Sequence, residues 1–159
     1  MGDLPAVREL FNALLPTTTI GWRDHLADAE EISAWFDEQH QARHPVLVAE
    51  LDGVVVGYTC WSTFRGGGRF PGYRHTVELT IHVDGCRQGT GIGRALTNAL
   101  VDEARRQEVH VIVAGVDADN HESIAFHQAL GFTEVARMPE VGRKFDRWLD
   151  LVLLQRIVE

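Results

Sequence analysis

The stretch Asp84–Leu100, DGCRQGTGIGRALTNAL, decides how this chain is read. Gly89, Gly91 and Gly93 alternate with Thr90 and Ile92, and Arg87 and Arg94 bracket them. Ile92, Ala95, Leu96, Ala99 and Leu100 then recur at helical spacing. A dinucleotide fingerprint, G-x-G-x-x-G, fits Gly89 and Gly91 but meets Arg94 at its last position, and the Gly-Lys-Ser/Thr ending of a phosphate loop is absent. A plain strand-to-helix turn remains open, although one turn does not require three glycines. Anion binding uses all of them. Glycines let backbone N–H groups approach a ligand, the first N–H groups of a helix have no internal partners, and the helix dipole adds positive charge there. The loop is therefore read as a cradle for phosphate or pyrophosphate, with Arg87 and Arg94 at its rim.

The sequence on either side supplies the frame. Before the loop, Val77, Leu79, Ile81 and Val83 alternate with Glu78, Thr80 and His82, which predicts a strand from Thr76. Further upstream, VLVAELDGVVVGYTCW reads as a hairpin turning at Asp52-Gly53. Helical patterns cover about Leu4 to Leu15 and, behind a cap at Asp28, DAEEISAWFDEQHQAR. Downstream, VHVIVAGV is the continuous apolar run of a strand covered on both faces. DADNHESIAFHQALGF is a short helix closed by Gly131, and TEVARM and RWLDLVLLQRI are two further strands. Early helices, a hairpin and then β-α-β-α-β-β predict an α/β fold: one mixed sheet with helices on its faces, in a single domain over residues 1–159.

Bulk properties exclude several functions. A net charge of −8 works against nonspecific nucleic-acid binding, which needs a basic surface. Positive charge is local instead, at Arg87, Arg94, Arg105 and Arg106. No apolar run reaches the roughly 20 residues of a membrane span, and the N-terminus lacks the pattern of a secretory signal. Cys60 and Cys86 are too few for a disulfide framework, and no metal-binding spacing occurs. A cytoplasmic protein with no metal, membrane or nucleic-acid partner is expected.

Gln88-Gly89-Thr90-Gly91-Ile92-Gly93 resembles the Q/R-x-x-G-x-G/A motif of the GNAT superfamily of N-acetyltransferases, following a strand and opening a helix as in that family. DADNHESIAFHQALGF resembles a second element of the same family, the asparagine-started helix ending in Leu-Gly-Phe. PGYRHTVELTIHV, EVGRKFDRWLDL and HPVLVAELDGVVVGYTCW are similar to the branch that acetylates phosphinothricin, methionine sulfoximine and methionine sulfone. Two features depart from the pattern. The family usually opens with a strand ahead of the first helix, whereas this sequence starts almost at that helix, so either the start codon is assigned late or the sheet lacks an edge strand. The tract Arg65-Gly66-Gly67-Gly68-Arg69 is also richer in glycine than expected.

The resemblance implies acetyl-CoA as cosubstrate, held by main-chain groups of Ile81, His82 and Val83, by Gln88, Gly89, Thr90, Gly91, Ile92, Gly93 and Arg94, and by Asn120, with the Val83 amide as oxyanion donor. It implies Glu78 as the base that deprotonates the amine. On periodicity alone, a solvated glutamate also fits that position. His127 stands where the family places the group that returns a proton to the CoA thiolate, and a histidine near its ordinary pKa can do so. Tyr73, Arg74, His75, Lys144 and Trp148 would select the substrate, Arg74 or Lys144 pairing with a carboxylate. Trp35 and Phe36 could line an apolar wall, but a place in the core is the stronger reading for both. Alternatives are a protein N-terminal or lysine acetyltransferase and a noncatalytic CoA-binding module. A homodimer is implied by the resemblance.

Overall fold

The computed structural model describes residues 2–159. Its helices are α1 (Leu4–Leu14), α2 (Ala29–Gln41), α3 (Ile92–Arg106) and α4 (His121–Gln128). Its strands are β1 (Val46–Leu51), β2 (Val54–Thr63), β3 (Thr76–Val83), β4 (Val111–Asp117), β5 (Thr133–Lys144) and β6 (Arg147–Ile157). They form one six-stranded sheet in the order β1-β2-β3-β4-β6-β5. Every neighbouring pair is antiparallel except β3 and β4. Among the described residues no strand precedes α1.

Local chemistry explains where elements start and stop. Asp28 accepts from the Glu31 N–H while the Glu31 carboxylate accepts from the Asp28 N–H, a reciprocal cap at the start of α2. Asp52 and Gly53 both take positive φ, 52° and 78°, as a tight two-residue hairpin requires. Asn120 caps α4 through its side-chain oxygen on the Ser123 N–H. Strand β5 is twice the length expected from TEVARM: it continues through Pro139 and Gly142 to Lys144, pairing with β6 across two irregularities. Both residues are ordinary breakers, but β5 is an edge strand, and there a missing N–H on its open side breaks no ladder bond.

The sheet separates two layers. On one face, α3 supplies Leu100, Val101 and Ala104 and α4 supplies Ile124 to a core with Trp61, Val77, Ile112, Val152 and Leu154. On the other, α1 and α2 bring Val7, Leu10, Phe11 and Trp35 against Tyr58 and Cys60 of β2.

The backbone phase of the sheet matters most for function. The Asp84 N–H donates to Val56 O (2.9 Å). In an antiparallel ladder with partners Tyr58↔His82 and Cys60↔Thr80, this turns the main chain of Thr80 and His82 toward β2. Leu79, Ile81 and Val83 therefore turn theirs toward β4. On the other strand the Ala118 N–H donates to Asp150 O, so Ala114 and Val116 face β6 while Gly115 and Asp117 face β3. Yet β3 and β4 pair only at Thr76↔Val111, Val77↔Ile112 and Glu78↔Val113. Beyond Glu78 the two strands splay, leaving their facing edges without ladder partners.

Close packing holds β2 against β3 and α3 beside this splay. A Cβ on Gly57, opposite Val83, would stand 2.9 Å from the His82 carbonyl oxygen and 3.2 Å from Leu96 Cδ1. Gly57→Ala is therefore expected to lower unfolding free energy by about 1–3 kcal/mol in urea titrations with an unchanged m-value. Wild-type stability in the variant would contradict this account of the contact.

Candidate active site

The splay opens into a cavity of about 760 Å³. One wall is β3 from Glu78 to Val83 and the opposite wall is β4 from Ala114 to Asp117. Arg87, Gln88, Gly89, Gly91, Gly93 and Arg94 close one end, Asn120, Glu122, Ser123, Phe126 and His127 of the α4 region lie beside them, and Leu14, Thr19, Ile20 and Trp22 close the other. Thus Glu78, Ile81, His82, Val83, Asn120, His127 and most of the glycine loop meet in one place. Thr90 instead turns its hydroxyl onto Arg87 O, and Ile92 opens α3 without lining the cavity.

At the loop end, Gly89 and Gly91 adopt φ of 74° and 91°, and no protein atom lies within 4 Å of where a Cβ would sit. Gly91 is also the N-cap of α3 and makes no side-chain cap. The free N–H groups, the helix dipole and two arginines leave room and charge for an anion. Gly93, which also lines the cavity, in addition lets α3 approach Phe126, whose ring would lie 3.1 Å from a Cβ.

In the middle of the cavity, the backbones of Leu79, Ile81, Val83, Gly115 and Asp117 turn inward. A chain of amide groups can complete such open ladder edges. His82 corrects the expectation: its main chain is committed to β2, although the residue still lines the cavity. The imidazole is buried between Phe11 and Tyr58, its Nδ1 has no hydrogen-bond partner, and burial holds its pKa down at about 4.

Glu78 projects from the α1–α2 face of β3 where the strands begin to part. Gly115 leaves it space, a Cβ there standing 3.4 Å from Glu78 Oε1. Partial burial raises its pKa above the ordinary carboxylate value. His127 is buried with Phe126 and Phe132 edge-on, and its Nδ1 donates to Ser123 O at 2.8 Å. That bond leaves Nε2 for proton exchange with a ligand. Burial, only partly opposed by this hydrogen bond, pulls His127 below its ordinary pKa, so the resting imidazole at neutral pH is uncharged and not the ready donor expected from sequence.

The residues expected to select the substrate are not brought to the cavity. Tyr73 packs edge-on to Phe64, Arg74 reaches Pro71 O, and His75 donates from Nδ1 to Glu108 O. Trp148 is 60% exposed under Arg143. Lys144 is 4% exposed, and its ammonium donates to Thr18 O and Gly21 O, so it is spent on main-chain carbonyls and not free for a carboxylate. Trp35 packs on Tyr58 in the α1–α2 core, and neither it nor Phe36 lines the cavity. The apolar wall comes instead from Leu14, Ile20, Trp22 and Leu151. In the connecting segment its sequence signal was Ile20 and Trp22 standing in the otherwise polar run TTTIGWRD. Among the described residues no group of three His, Cys, Asp or Glu could hold a metal, and no helix is long and apolar enough to cross a membrane.

The profile of the acetyltransferase (GNAT) family matches residues 7–132, which span the glycine loop, both edges of the splay and α4. The chain belongs to the GNAT acetyltransferase family. It is 44% identical over 153 residues to the L-amino acid N-acyltransferase MnaT of Escherichia coli (strain K12), covering 96% of this chain and 87% of that protein. It is 43% identical to the L-methionine sulfoximine/L-methionine sulfone acetyltransferase of Salmonella typhimurium, covering 96% and 88%. It is 32% identical to the phosphinothricin N-acetyltransferase of Alcaligenes faecalis, covering 97% and 77%. Among solved structures, Salmonella typhimurium yncA with its cofactor acetyl-CoA superposes with a TM-score of 0.93 at 42% identity, over 99% of this chain and 90% of that one. A Brucella melitensis structure named ribosomal-protein-alanine N-acetyltransferase superposes with a TM-score of 0.94 at 42% identity, over 98% and 94%. This GNAT chain is thus an acetyl-CoA-dependent N-acetyltransferase, and the open ladder edges, the vacant space at Gly89 and Gly91 and the two arginines fit that cosubstrate.

The raised pKa of Glu78 has a consequence for stability. The folded state holds the Glu78 proton more tightly than the unfolded chain, so its stabilising contribution is complete below the ordinary carboxylate pKa. It is lost as pH rises through the higher folded value. Glu78→Gln is therefore expected to melt above the wild type at pH 8, with the difference closing at pH 4. Equal melting temperatures at both pH values would refute the burial account.

Proposed function

We propose that this acetyltransferase acts on the α-amino group of a small amino acid or analogue of the methionine sulfone, methionine sulfoximine or phosphinothricin type. The observation that carries the reading is the position of Glu78. Its partly buried carboxyl stands at the start of the splay, between the inward-facing edges that would hold the pantetheine arm and the apolar wall of Ile20, Trp22 and Leu151. The identities to the amino-acid and sulfoximine/sulfone acetyltransferases support the acceptor class. The whole of residues 1–159 serves as one domain in this reading.

The reaction joins the amine nitrogen to the thioester carbonyl carbon, breaks the C–S bond and releases one proton overall. Acetyl-CoA supplies the thioester. An α-ammonium titrates at about 8, so at neutral pH it must lose a proton before it attacks. Glu78, directly or through one water, takes that proton. The Val83 N–H, turned into the cleft, receives the oxyanion. His127 is uncharged at rest, so Nε2 first takes the second proton, the one the nitrogen loses as the C–N bond forms, and then gives it to the departing thiolate. Gln88, Gly89, Gly91, Gly93 and Arg94 hold the pyrophosphate, and Asn120, with one side-chain oxygen engaged in its cap, keeps its amide N–H groups for the cofactor arm.

The Brucella protein's name favours a peptide N-terminus as a second reading. The wall of Leu14, Ile20 and Trp22 suits a short acceptor better. A cytoplasmic homodimer completes the proposal, with the net charge, the resemblance and the absence of a spanning helix among the described residues behind it. Light scattering at micromolar concentration reads the oligomer.

CoA release is expected with L-methionine sulfoximine, L-methionine sulfone or phosphinothricin and not with a peptide bearing an N-terminal alanine; the reverse pattern would establish the second reading. In the wild type, kcat/KM is expected to fall on the acid side with an apparent pKa above the ordinary carboxylate range. Glu78→Gln should lower kcat/KM by about 10²-fold or more and abolish that acid limb. Full activity of this variant from pH 6 to 9 would remove Glu78 as the base.

A further inference from the structure

The end of the β5–β6 hairpin lies on the segment that forms the acceptor end of the cavity. Three contacts join them. The Lys144 ammonium donates to the carbonyls of Thr18, at 2.9 Å, and Gly21, the two residues that bracket Thr19 and Ile20. The Trp22 indole lies directly over Gly142: a Cβ there would be 2.1 Å from Cε3 and Cζ3. Gly21 is seated from the opposite side on Leu15, whose Cδ2 would be 2.7 Å from an added Cβ. The segment begins from α1 with the Thr18 N–H and hydroxyl both donating to Leu14 O. Thr19, Ile20 and Trp22, the residues held in this way, all line the cavity.

We infer that Lys144 and Gly142 are positioning residues that set the acceptor specificity of this enzyme by fixing the wall Thr19–Trp22. The inference rests on the acceptor reading under Proposed function. Lys144 gives up any ion pair with a substrate and binds two carbonyls that no other side chain among the described residues serves. Its aliphatic stem is covered, its charge lies over the Phe145 ring at 5.0 Å, and Asp24 is the opposite charge acting on it. A methionine there keeps the stem and loses both donors, so Thr18 O and Gly21 O need new partners and the segment can turn. Gly142 acts by absence. Any side chain must displace the indole, moving the largest apolar surface of the wall without adding a group to the cavity. Neither residue touches the phosphate loop or the inward edges of β3 and β4, so the effect is confined to the acceptor.

Steady-state kinetics with L-methionine sulfone and with phosphinothricin, alongside calorimetric titration with acetyl-CoA, test this in wild type, Lys144→Met, Lys144→Arg and Gly142→Ala. Lys144→Met is expected to raise the acceptor KM by about tenfold or more, because small misplacements of substrate-positioning groups act on this scale. The acetyl-CoA Kd should stay within about twofold of wild type, and Lys144→Arg, which keeps charge and donors, should recover part of the acceptor KM. Gly142→Ala should change the ratio of kcat/KM for the two acceptors by about fivefold or more. A merely structural lysine would weaken acetyl-CoA and acceptor together and gain nothing from arginine, and that pattern overturns the proposal. So does an acceptor KM in Lys144→Met equal to wild type. If Lys144→Met does not fold, Gly142→Ala decides, and an unchanged acceptor ratio overturns the assignment. A wild type that acetylates no amino acid overturns the acceptor reading and this inference with it, whereas an active wild type with indifferent variants overturns this inference alone.

Discussion

Everything in this structure that bears on catalysis depends on the parting of β3 and β4 after three paired residues. A sheet ordinarily satisfies its backbone donors and acceptors strand against strand. Here Leu79, Ile81 and Val83 on one side and Gly115 and Asp117 on the other present theirs to a cavity. Flanking strands maintain the opening: β2 pairs with β3 along seven residues and β4 with β6 along seven. The splay is thus a rigid wedge built from well-paired strands. Because β3 leads straight into the glycine loop and β4 into the Asn120 cap of α4, the same wedge sets where pyrophosphate, pantetheine and thioester would lie along one line.

Residue roles divide by layer. The α3–α4 face of the sheet is apolar and continuous, and it carries the helix N-terminus that faces the anion site. The α1–α2 face carries Glu78 and His82, two titratable groups inside otherwise apolar packing. Burial shifts them in opposite directions on the pH scale for one physical reason, the disfavouring of charge: Glu78 up and His82 down. For Glu78 the shift brings a carboxyl closer to the pH at which an ammonium must be deprotonated. For His82 it keeps the ring neutral next to Tyr58 and Phe11, where a charge would lack any partner.

Much of this was legible in the sequence because it rested on local rules. Alternation from Thr76 gave the strand bearing Glu78, the Asp28 and Asn120 caps and the Asp52-Gly53 turn marked element ends, and the spacing of Gly89, Gly91 and Gly93 pointed to an anion. What failed was long-range. The strand read as TEVARM runs on through Pro139 and Gly142 to Lys144, because nothing local tells an edge strand from an interior one. Lys144 looked like a ligand for a carboxylate, since only the fold shows it 126 residues from its partner Thr18 and already engaged. The phase of the ladder, which turns the His82 backbone away from the cleft, requires knowing which strands pair. Trp22 carried no periodic signal, and its place on the wall follows from docking against a hairpin far along the chain.

The inward-facing edges have a consequence for how this enzyme tolerates change. Contacts made by main-chain N–H and C=O groups do not depend on which side chain follows, provided the strand keeps its path. On the proposed reading, recognition of the cosubstrate along the wedge is therefore largely blind to residue identity at Ile81, Val83 and Gly115, beyond limits of size. The proposed acceptor end, by contrast, is written in side chains on a short connecting segment. The two halves of the site can drift apart in sequence at different rates, one buffered and one exposed to every substitution, so new acceptors can be acquired without relearning the donor.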